Sequence, residues 1–547
     1  MKSKLNRSGF LAFLLVAVLF IRPADAQMTA DEVRRVIAQA ATRALEISPN
    51  SIIAVVDREG FVLGVWKMNS NLGTNSLEFL LDVVDAITKA GTASFLSSDQ
   101  HAFTSRTAGF IVQQNFPPGV KKRPNGPLVG VNFSNMSFSD VSRFKNPSTY
   151  SPTAYGGSGT NGGTIRIASQ FDLPAALSGL AGSPGGVPLF RDGKLIGGVG
   201  VSGTSKRVVS RVPALDDIQV VQVRDIDEQV ALAGQIGFAP ASKFFGTHVF
   251  IDGIRVPYVI GKARPIKFLF SFGSLGAGVP EFPVTNSPAV DYPKIGIDGM
   301  INEVRAPVID DPVPGNINGQ ARLTANEVTS ILTLAARRAY ITRAGIRLPR
   351  GQAAQVFISV VNNPNADGVS PVVLGTFRTP GATMFSWDVS VQKARTSIFF
   401  SEPSRKLLFD GPIAMSSRTV GFLAQSFYPP GISGNAPGPF LGFQELFSQF
   451  APISLRNPLN GVTSIRLPPV DPNLPNGITI FPGGFPLYRN GVLIGAIGVS
   501  GDGIDQDDII AASGTVNFLP PQNIRADQYR FRDARLPYAK FPRNPSL

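Results

Sequence analysis

GGVPLFRDGKLIGGVGVSG at residues 185–203 returns at 483–501 as GGFPLYRNGVLIGAIGVSG, identical at 13 of 19 positions. Asp192-Gly193 and Asn490-Gly491, at the centre of the two copies, are the dipeptides of a type I′ turn, in which both central residues take positive φ, so each block reads as a tight antiparallel hairpin. A match of that length makes the chain one unit present twice, and the other blocks fall into place around it. Thr29–Glu32 (TADE) and Thr324–Glu327 (TANE) have the spacing in which a Thr caps the third helical amide while the Glu reaches back to the Thr amide. Met28 with Val33, and Leu323 with Val328, are placed to staple those caps. Behind them Val33, Val36, Ile37, Ala40 and Ala44 fall on one helical face, and Val328, Ile331, Leu332, Ala335 and Ala339 repeat it position for position.

Two apolar runs follow each helix: Ser51–Asp57 with Phe61–Lys67, and QVFISVVN with Val372–Arg378. Both pairs read as hairpins, the second with a longer loop, Asn363–Ser370. Lys89-Ala90-Gly91-Thr92 and Lys393-Ala394-Arg395-Thr396 come next, then SRTAGFIVQQNFPPG (105–119) and SRTVGFLAQSFYPPG (417–431), which suggest helices running to Pro-Pro-Gly. After the glycine-rich hairpin, Asp225–Gly234 and Asp505–Gly514 read as capped closing helices. FIDGIRVPY (250–258) is echoed by FRDARLPY (531–538), one residue shorter when Phe is matched to Phe. The copies are placed at 28–265 and 323–547, with 266–322 as a Pro/Gly-rich linker that has room for a packed strand. Helices mixed with hairpin-connected strands make each unit an α+β layered domain.

The first 26 residues have the order of a cleaved leader: Lys2, Lys4 and Arg7, an apolar run Phe10–Ile21, then Ala24-Asp25-Ala26. That run is 12 residues long, against about 20 for a membrane-crossing helix, so the expectation is a secreted or periplasmic protein with no membrane anchor once the leader is removed. The chain has no cysteine, so neither disulfides nor thiol chemistry are available to it. The net charge is +13, and +10 without the leader. The basic residues are dispersed, and the one tight cluster, Lys121-Lys122-Arg123, sits among Pro and Gly, which argues against a nucleic-acid partner.

In order, a helix, a hairpin ending in Val55-Val56-Asp57, a helix carrying Lys89–Ala93, then Gly185–Leu189, the Asp-Gly turn, Gly197–Gly203 and Asp225–Gly234 resemble the GlcG/HbpS-like haem-binding family. The second copy departs from the pattern at Asn362 in place of Asp57 and at Thr396-Ser397 in place of Thr92-Ala93. The resemblance implies two tandem profilin-like domains, each a five-stranded antiparallel sheet flanked by helices. It further implies non-covalent haem binding outside the cytoplasm, in haem or iron handling or redox sensing, and assembly as a homo-oligomer or by pairing of the two copies. The competing expectation is a non-catalytic envelope interaction module that has kept the fold and lost the ligand. Long Gly/Pro/Ser loops would suit a protein partner there.

Haem is usually ligated by His, Met, Tyr or Cys, and the chain has two histidines. His101, just before the SRTAGF helix, is better placed than His248; its counterpart by alignment is Ile413. Tyr258 and Tyr538, at the ends of matching segments, read either as ligands or as aromatic packing. Lys89 with Thr92, and Lys393 with Thr396, stand one helical turn apart, where a cation and a hydroxyl suit a propionate or another small anion. Solvated charge is the plainer reading of those lysines. Arg106 and Arg418 are anion clamps if they face a pocket and ion-pair residues if they do not. Gly197, Gly200 and Gly203, with Gly495, Gly498 and Gly501, lack phosphate-loop spacing and fit strand positions where a helix or ligand approaches closely. Asp225, Asp227 and Glu228, and Asp505, Asp507 and Asp508, read as helix caps before metal ligands. No GxSxG, Walker loop or HExxH is present, so the sequence offers no catalytic residues of its own.

Overall fold

The computed structural model describes residues 27–70, 77–113, 115–120, 123, 125–131, 134–135, 139–143, 164–167, 171–174, 179–203, 224–349, 351–432, 434–443, 455–456, 463–465, 473–541 and 546–547. The stretch expected as a leader (1–26), Lys121, Lys122, residues 145–163 and most of 443–475 lie outside them.

In the first copy α1 (Ala30–Ile47) precedes a hairpin of β1 (Ile52–Asp57) and β2 (Val62–Lys67). Helices α2 (Leu77–Phe95), α3 (Ser105–Ile111) and α4 (Asp140–Arg143) follow, then a small ladder of β3 (Thr164–Ile167) and β4 (Phe171–Pro174). The repeated hairpin forms β5 (Gly186–Arg191) and β6 (Lys194–Ser202), α5 (Ile226–Gly234) closes the unit, and β7 (Phe250–Ile251) with β8 (Ile254–Arg255) make a short hairpin. Strand β9 (Ala277–Gly278) then pairs with β2, giving a sheet ordered β5-β6-β1-β2-β9.

The hairpin of β10 (Lys294–Ile297) and β11 (Met300–Ala306) leads into the second copy: α6 (Ala325–Ile341), β12 (Phe357–Asn362), β13 (Val373–Arg378), α7 (Phe385–Ser401), α8 (Ser417–Leu423), the ladder β14 (Leu455–Arg456) with β15 (Thr463–Ile465), β16 (Gly484–Arg489), β17 (Val492–Ser500), α9 (Ile504–Gly514), β18 (Arg530–Phe531) and β19 (Ala534–Arg535). Its sheet is ordered β10-β11-β13-β12-β17-β16. The protein is therefore α+β, two tandem units of antiparallel sheet packed with helices. The first sheet has five strands, as expected, and the second has six. The stretch expected as a linker supplies β9 to the first sheet and the β10–β11 hairpin to the second, so four strands of each sheet belong to the repeat and the outer ones come from the connection.

Local chemistry explains the elements. Thr29 and Thr324 form complete capping boxes with Glu32 and Glu327. The turn residues Asp192 (φ 50°), Gly193 (φ 77°), Asn490 (φ 48°) and Gly491 (φ 82°) take the left-handed backbone that a type I′ turn requires. The third-block helices are shorter than expected: α3 ends at Ile111 and α8 at Leu423, well before Pro-Pro-Gly. The extension also differs from the sequence alignment. β18–β19 turns on Arg532 and Asp533, where β7–β8 turns on Asp252 and Gly253. Phe250 therefore corresponds to Arg530, and the two extensions are of equal length.

Burial follows strand alternation. Ile53 and Val55 of β1 pack under α1 and α5 with Val33, Val36, Val199 and Val230, while Ile52, Ala54 and Val56 face α2 with Val83, Ala86 and Ala90. This second layer is continuous with the core of the second copy, around Trp387, Phe357 and Ala394. The strand glycines set how closely the helix approaches. A Cβ on Gly200 would lie 2.1 Å from the Ala86 carbonyl oxygen, and one on Gly498 would lie 1.9 Å from that of Ser390. Helices α2 and α7 thus rest directly on the backbone of β6 and β17.

Candidate functional site

Because α2 lies against β6, the Lys89 side chain runs over the sheet end toward α5. Its ammonium donates to the Val201 carbonyl at 3.0 Å and lies 2.9 Å from Asp85 Oδ2 and 3.1 Å from Asp227 Oδ2. Arg106, from the next helix, makes a two-pronged contact with Glu228: Nε to Oε1 at 2.7 Å and Nη2 to Oε2 at 3.0 Å. Glu228 also accepts the Ile260 amide at 3.0 Å, tying the C-terminal extension to the same carboxylate. Lys89, Asp227, Arg106 and Glu228 are at most 1% exposed and Asp85 is 6% exposed.

The second copy repeats the arrangement. Lys393 Nζ donates to Val499 O and Asp507 Oδ2, both at 2.7 Å. Arg418 Nε reaches Asp508 Oδ2 at 2.7 Å, its Nη2 contacts Asp505, and the Lys540 amide donates to Asp508 as Ile260 does to Glu228. One difference matters: Asp85, one turn before Lys89, has Val389 as its counterpart before Lys393. Burial works against the Lys89 charge, but Asp85 and Asp227 outweigh it and raise its pKa. At Lys393 burial outweighs Asp507 and the pKa falls, while burial lifts Asp507 to about 6. The Lys89 charge is thus reinforced by its two carboxylates, whereas burial pushes both Lys393 and Asp507 toward their neutral forms.

The remaining predicted residues are also internal. Thr92 Oγ1 donates to the Thr88 carbonyl at 2.7 Å and accepts the Ala181 amide at 2.8 Å, and Thr396 accepts the Thr479 amide at 2.9 Å. His101 is 3% exposed. A carbonyl only accepts, so Nε2 donates to Leu96 O at 2.8 Å, leaving Nδ1 to accept from the Ser98 hydroxyl at 2.9 Å. Burial, aided by Arg347, lowers its pKa to about 3, so the ring is neutral. Tyr258 stacks on Phe245 with centroids 4.3 Å apart and Tyr538 packs edge-on against Phe485, both buried.

The expected solvated or anion-facing cations are thus engaged by the chain's own carboxylates, with Lys89, Lys393 and Arg106 buried and Arg418 partly buried. The acids expected as caps supply those partners. Asp225 does cap, accepting the Glu228 amide at 2.9 Å, but Asp227 and Glu228 pair with Lys89 and Arg106, and in the second copy Asp505 joins Arg418 while Gly503 takes the cap position. The signal was present as an acid doublet in each closing helix and a Lys and an Arg in each preceding pair of helices. Spacing along the chain does not tell a cap from a long-range ion pair. No group of three or more metal-ligating side chains occurs among the described residues, and no helix among them is long and apolar enough to cross a membrane.

Duplicated antiparallel sheets with buried Lys–Asp and Arg–acid locks between helices define the class of protein. The chain belongs to the HbpS-like family, described as haem degrading protein HbpS-like, which it matches over residues 28–208 and 342–515, once in each copy. Among solved structures it is similar to a PduOC–haem complex, at 20% identity over 37% of this chain and 100% of that one with a TM-score of 0.22. It is also similar to the Klebsiella pneumoniae protein ORFY, of DUF336, at 20% identity over 37% of this chain and 94% of that one with a TM-score of 0.21. Among curated proteins none matches the chain.

Proposed function

We propose that the protein is exported by its leader and binds haem non-covalently in the cell envelope, in haem or iron handling. The observation that carries this reading is the family match in both copies, to a family whose description is of haem chemistry. The predicted cluster does not fit the cofactor: both His101 nitrogens are occupied, and Lys89, Arg106, Lys393 and Arg418 already face carboxylates. Haem would therefore be held elsewhere. Of the two histidines, His248, which ends the short turn Gly246–His248 before β7, is the exposed one.

A haemin titration of residues 27–547, followed by absorbance, tests this with His248→Ala and His101→Ala alongside. A saturating Soret shift that survives His101→Ala supports haem binding away from the buried cluster, and loss in His248→Ala identifies the iron ligand. Absence of any shift beyond a non-specific control removes the haem reading. The second reading is a non-catalytic envelope interaction module. It is favoured by the internal pairing of all the cations from which a ligand site was expected, which makes them parts of the scaffold.

A further inference from the structure

The two copies differ in the turn joining their first two strands. Four residues, 58–61, separate β1 from β2, whereas ten, 363–372, separate β12 from β13. The longer loop arches over the end of α7 and bounds an open cleft of about 180 Å³, smaller than the roughly 300–1,000 Å³ of drug-sized ligand sites and on the scale of one small polar molecule. Its floor is apolar: Ile398 and Phe399 from α7 with Pro371 from the loop. Arg405 lies over Phe399, with the guanidinium carbon 4.0 Å from the ring centroid.

The walls are polar, and Asp367 stands out into solvent with its side chain 88% exposed. Arg405 Nη2 donates to Asp367 Oδ1 at 2.9 Å, and Glu402 accepts from Asn363 Nδ2 and the Ser404 hydroxyl, each at 3.4 Å. Asn365 takes φ 53°, its backbone N–H donates to Asn363 Oδ1 at 2.9 Å, and the residue is exposed at the mouth of the cleft. The cleft therefore offers carboxylate acceptors, a hydroxyl, a guanidinium edge and a carboxamide, arranged around an apolar base. Two carboxylates against one cation, itself already on Asp367, disfavour an anion. No His, Met or Tyr lines the cleft, so it supplies no ligand to haem iron.

We infer that the second copy carries a binding site for a small, uncharged, hydroxyl-rich molecule of monosaccharide size, recognised by Asp367, Glu402 and Asn365 through its hydroxyls and resting on the base formed by Ile398, Pro371 and the Arg405 guanidinium that covers Phe399. This site is independent of the haem reading and absent from the first copy, whose short turn has no residues to build it. Saturation-transfer NMR on residues 27–547 with glucose, galactose and mannose tests it, with choline and ethanolamine as amine probes. The expected result is saturable transfer from at least one sugar, weakened tenfold or more in Glu402→Gln and Asp367→Asn and unchanged in Asp410→Asn outside the cleft, with all variants folded by circular dichroism. Lack of transfer from every sugar up to tens of millimolar overturns the inference. So does transfer from the amines alone, or sugar binding that ignores both cleft variants.

Discussion

At Lys89 and Lys393 the same residue in the same fold has opposite electrostatic settings, because Asp85 in one copy is Val389 in the other. Removing one partner of a buried ion pair costs about 3–5 kcal/mol when the other charge cannot escape. Lys89→Met strands Asp85 and Asp227 together and should cost in that range by urea unfolding at pH 7. Lys393→Met takes the ammonium from Asp507 alone, whose pKa is already lifted to about 6 by burial with the lysine present; without the lysine it rises further and the carboxyl takes up a proton in place of a stranded charge, so the cost should be clearly smaller. Equal costs would contradict the assignment. His101 makes a second prediction. Its pKa is about 3 in the fold against about 6.5 unfolded. Below pH 6.5 the unfolded chain therefore binds the extra proton, and the ring's contribution is complete above pH 6.5 and is lost as pH falls toward 3, with a slope of up to about 1.4 kcal/mol per pH unit. His101→Gln should flatten the stability profile between pH 4 and 6 by about that slope; an unchanged profile would mean that the ring is not buried neutral. The identity of these residues was legible in the sequence, and their burial was not, since charge spacing looks the same on a surface helix and in a folded interior.

The elements themselves were far more legible. Capping boxes, turn dipeptides and apolar faces are local signals, and the α1, β5–β6 and β16–β17 readings survive because nothing distant overrides them. Helix ends at Pro-Pro-Gly and the Phe-to-Phe alignment of the extensions failed for the converse reason, since a breaker marks where a helix cannot continue and not where it stops. The glycine rows belong to this scale too. Their purpose is legible only once α2 and α7 are seen resting on them. Gly200→Ala would drive a methyl to 2.1 Å from the Ala86 carbonyl oxygen, and overpacking of that kind costs about 1–3 kcal/mol or more as the helix lifts. Gly193→Ala meets nothing within 4 Å and pays only for its positive φ, about 1 kcal/mol. Chemical unfolding of the two variants should rank them in that order, and a Gly200→Ala protein as stable as wild type would refute close helix–strand contact.

At the scale of the molecule the copies are joined by more than a chain connection. Glu59, in the first copy's β1–β2 turn, receives both Nη atoms of Arg305 at 2.7 and 3.0 Å, while Arg305 is stacked 3.7 Å over Tyr292 and paired with Glu303. Across the same seam Asp140 of α4 accepts from Arg395 of α7 at 2.8 Å, and the Asn135 amide donates to Asp388 at 2.7 Å. Burial resists the Glu59 charge, but Arg305 and Arg378 outweigh it and hold the pKa near 2. Its contribution is therefore present above about pH 4.3 and lost as pH falls toward 2. Burial and Asp140 together raise Asp388 to about 7, so its contribution is complete below about pH 3.9 and lost as pH rises through 7. The seam is thus expected to be firmest in mildly acid conditions, and calorimetry should show one unfolding transition there. Arg395→Met takes a buried guanidinium away from Asp140 and Asp388, a loss of about 3–5 kcal/mol placed at the seam and not inside either sheet. It should split the single endotherm into two, with the gap widening between pH 5 and 8 as Asp388 ionises. A single transition lowered as a whole would mean that the two sheets fold as one unit whatever happens between them.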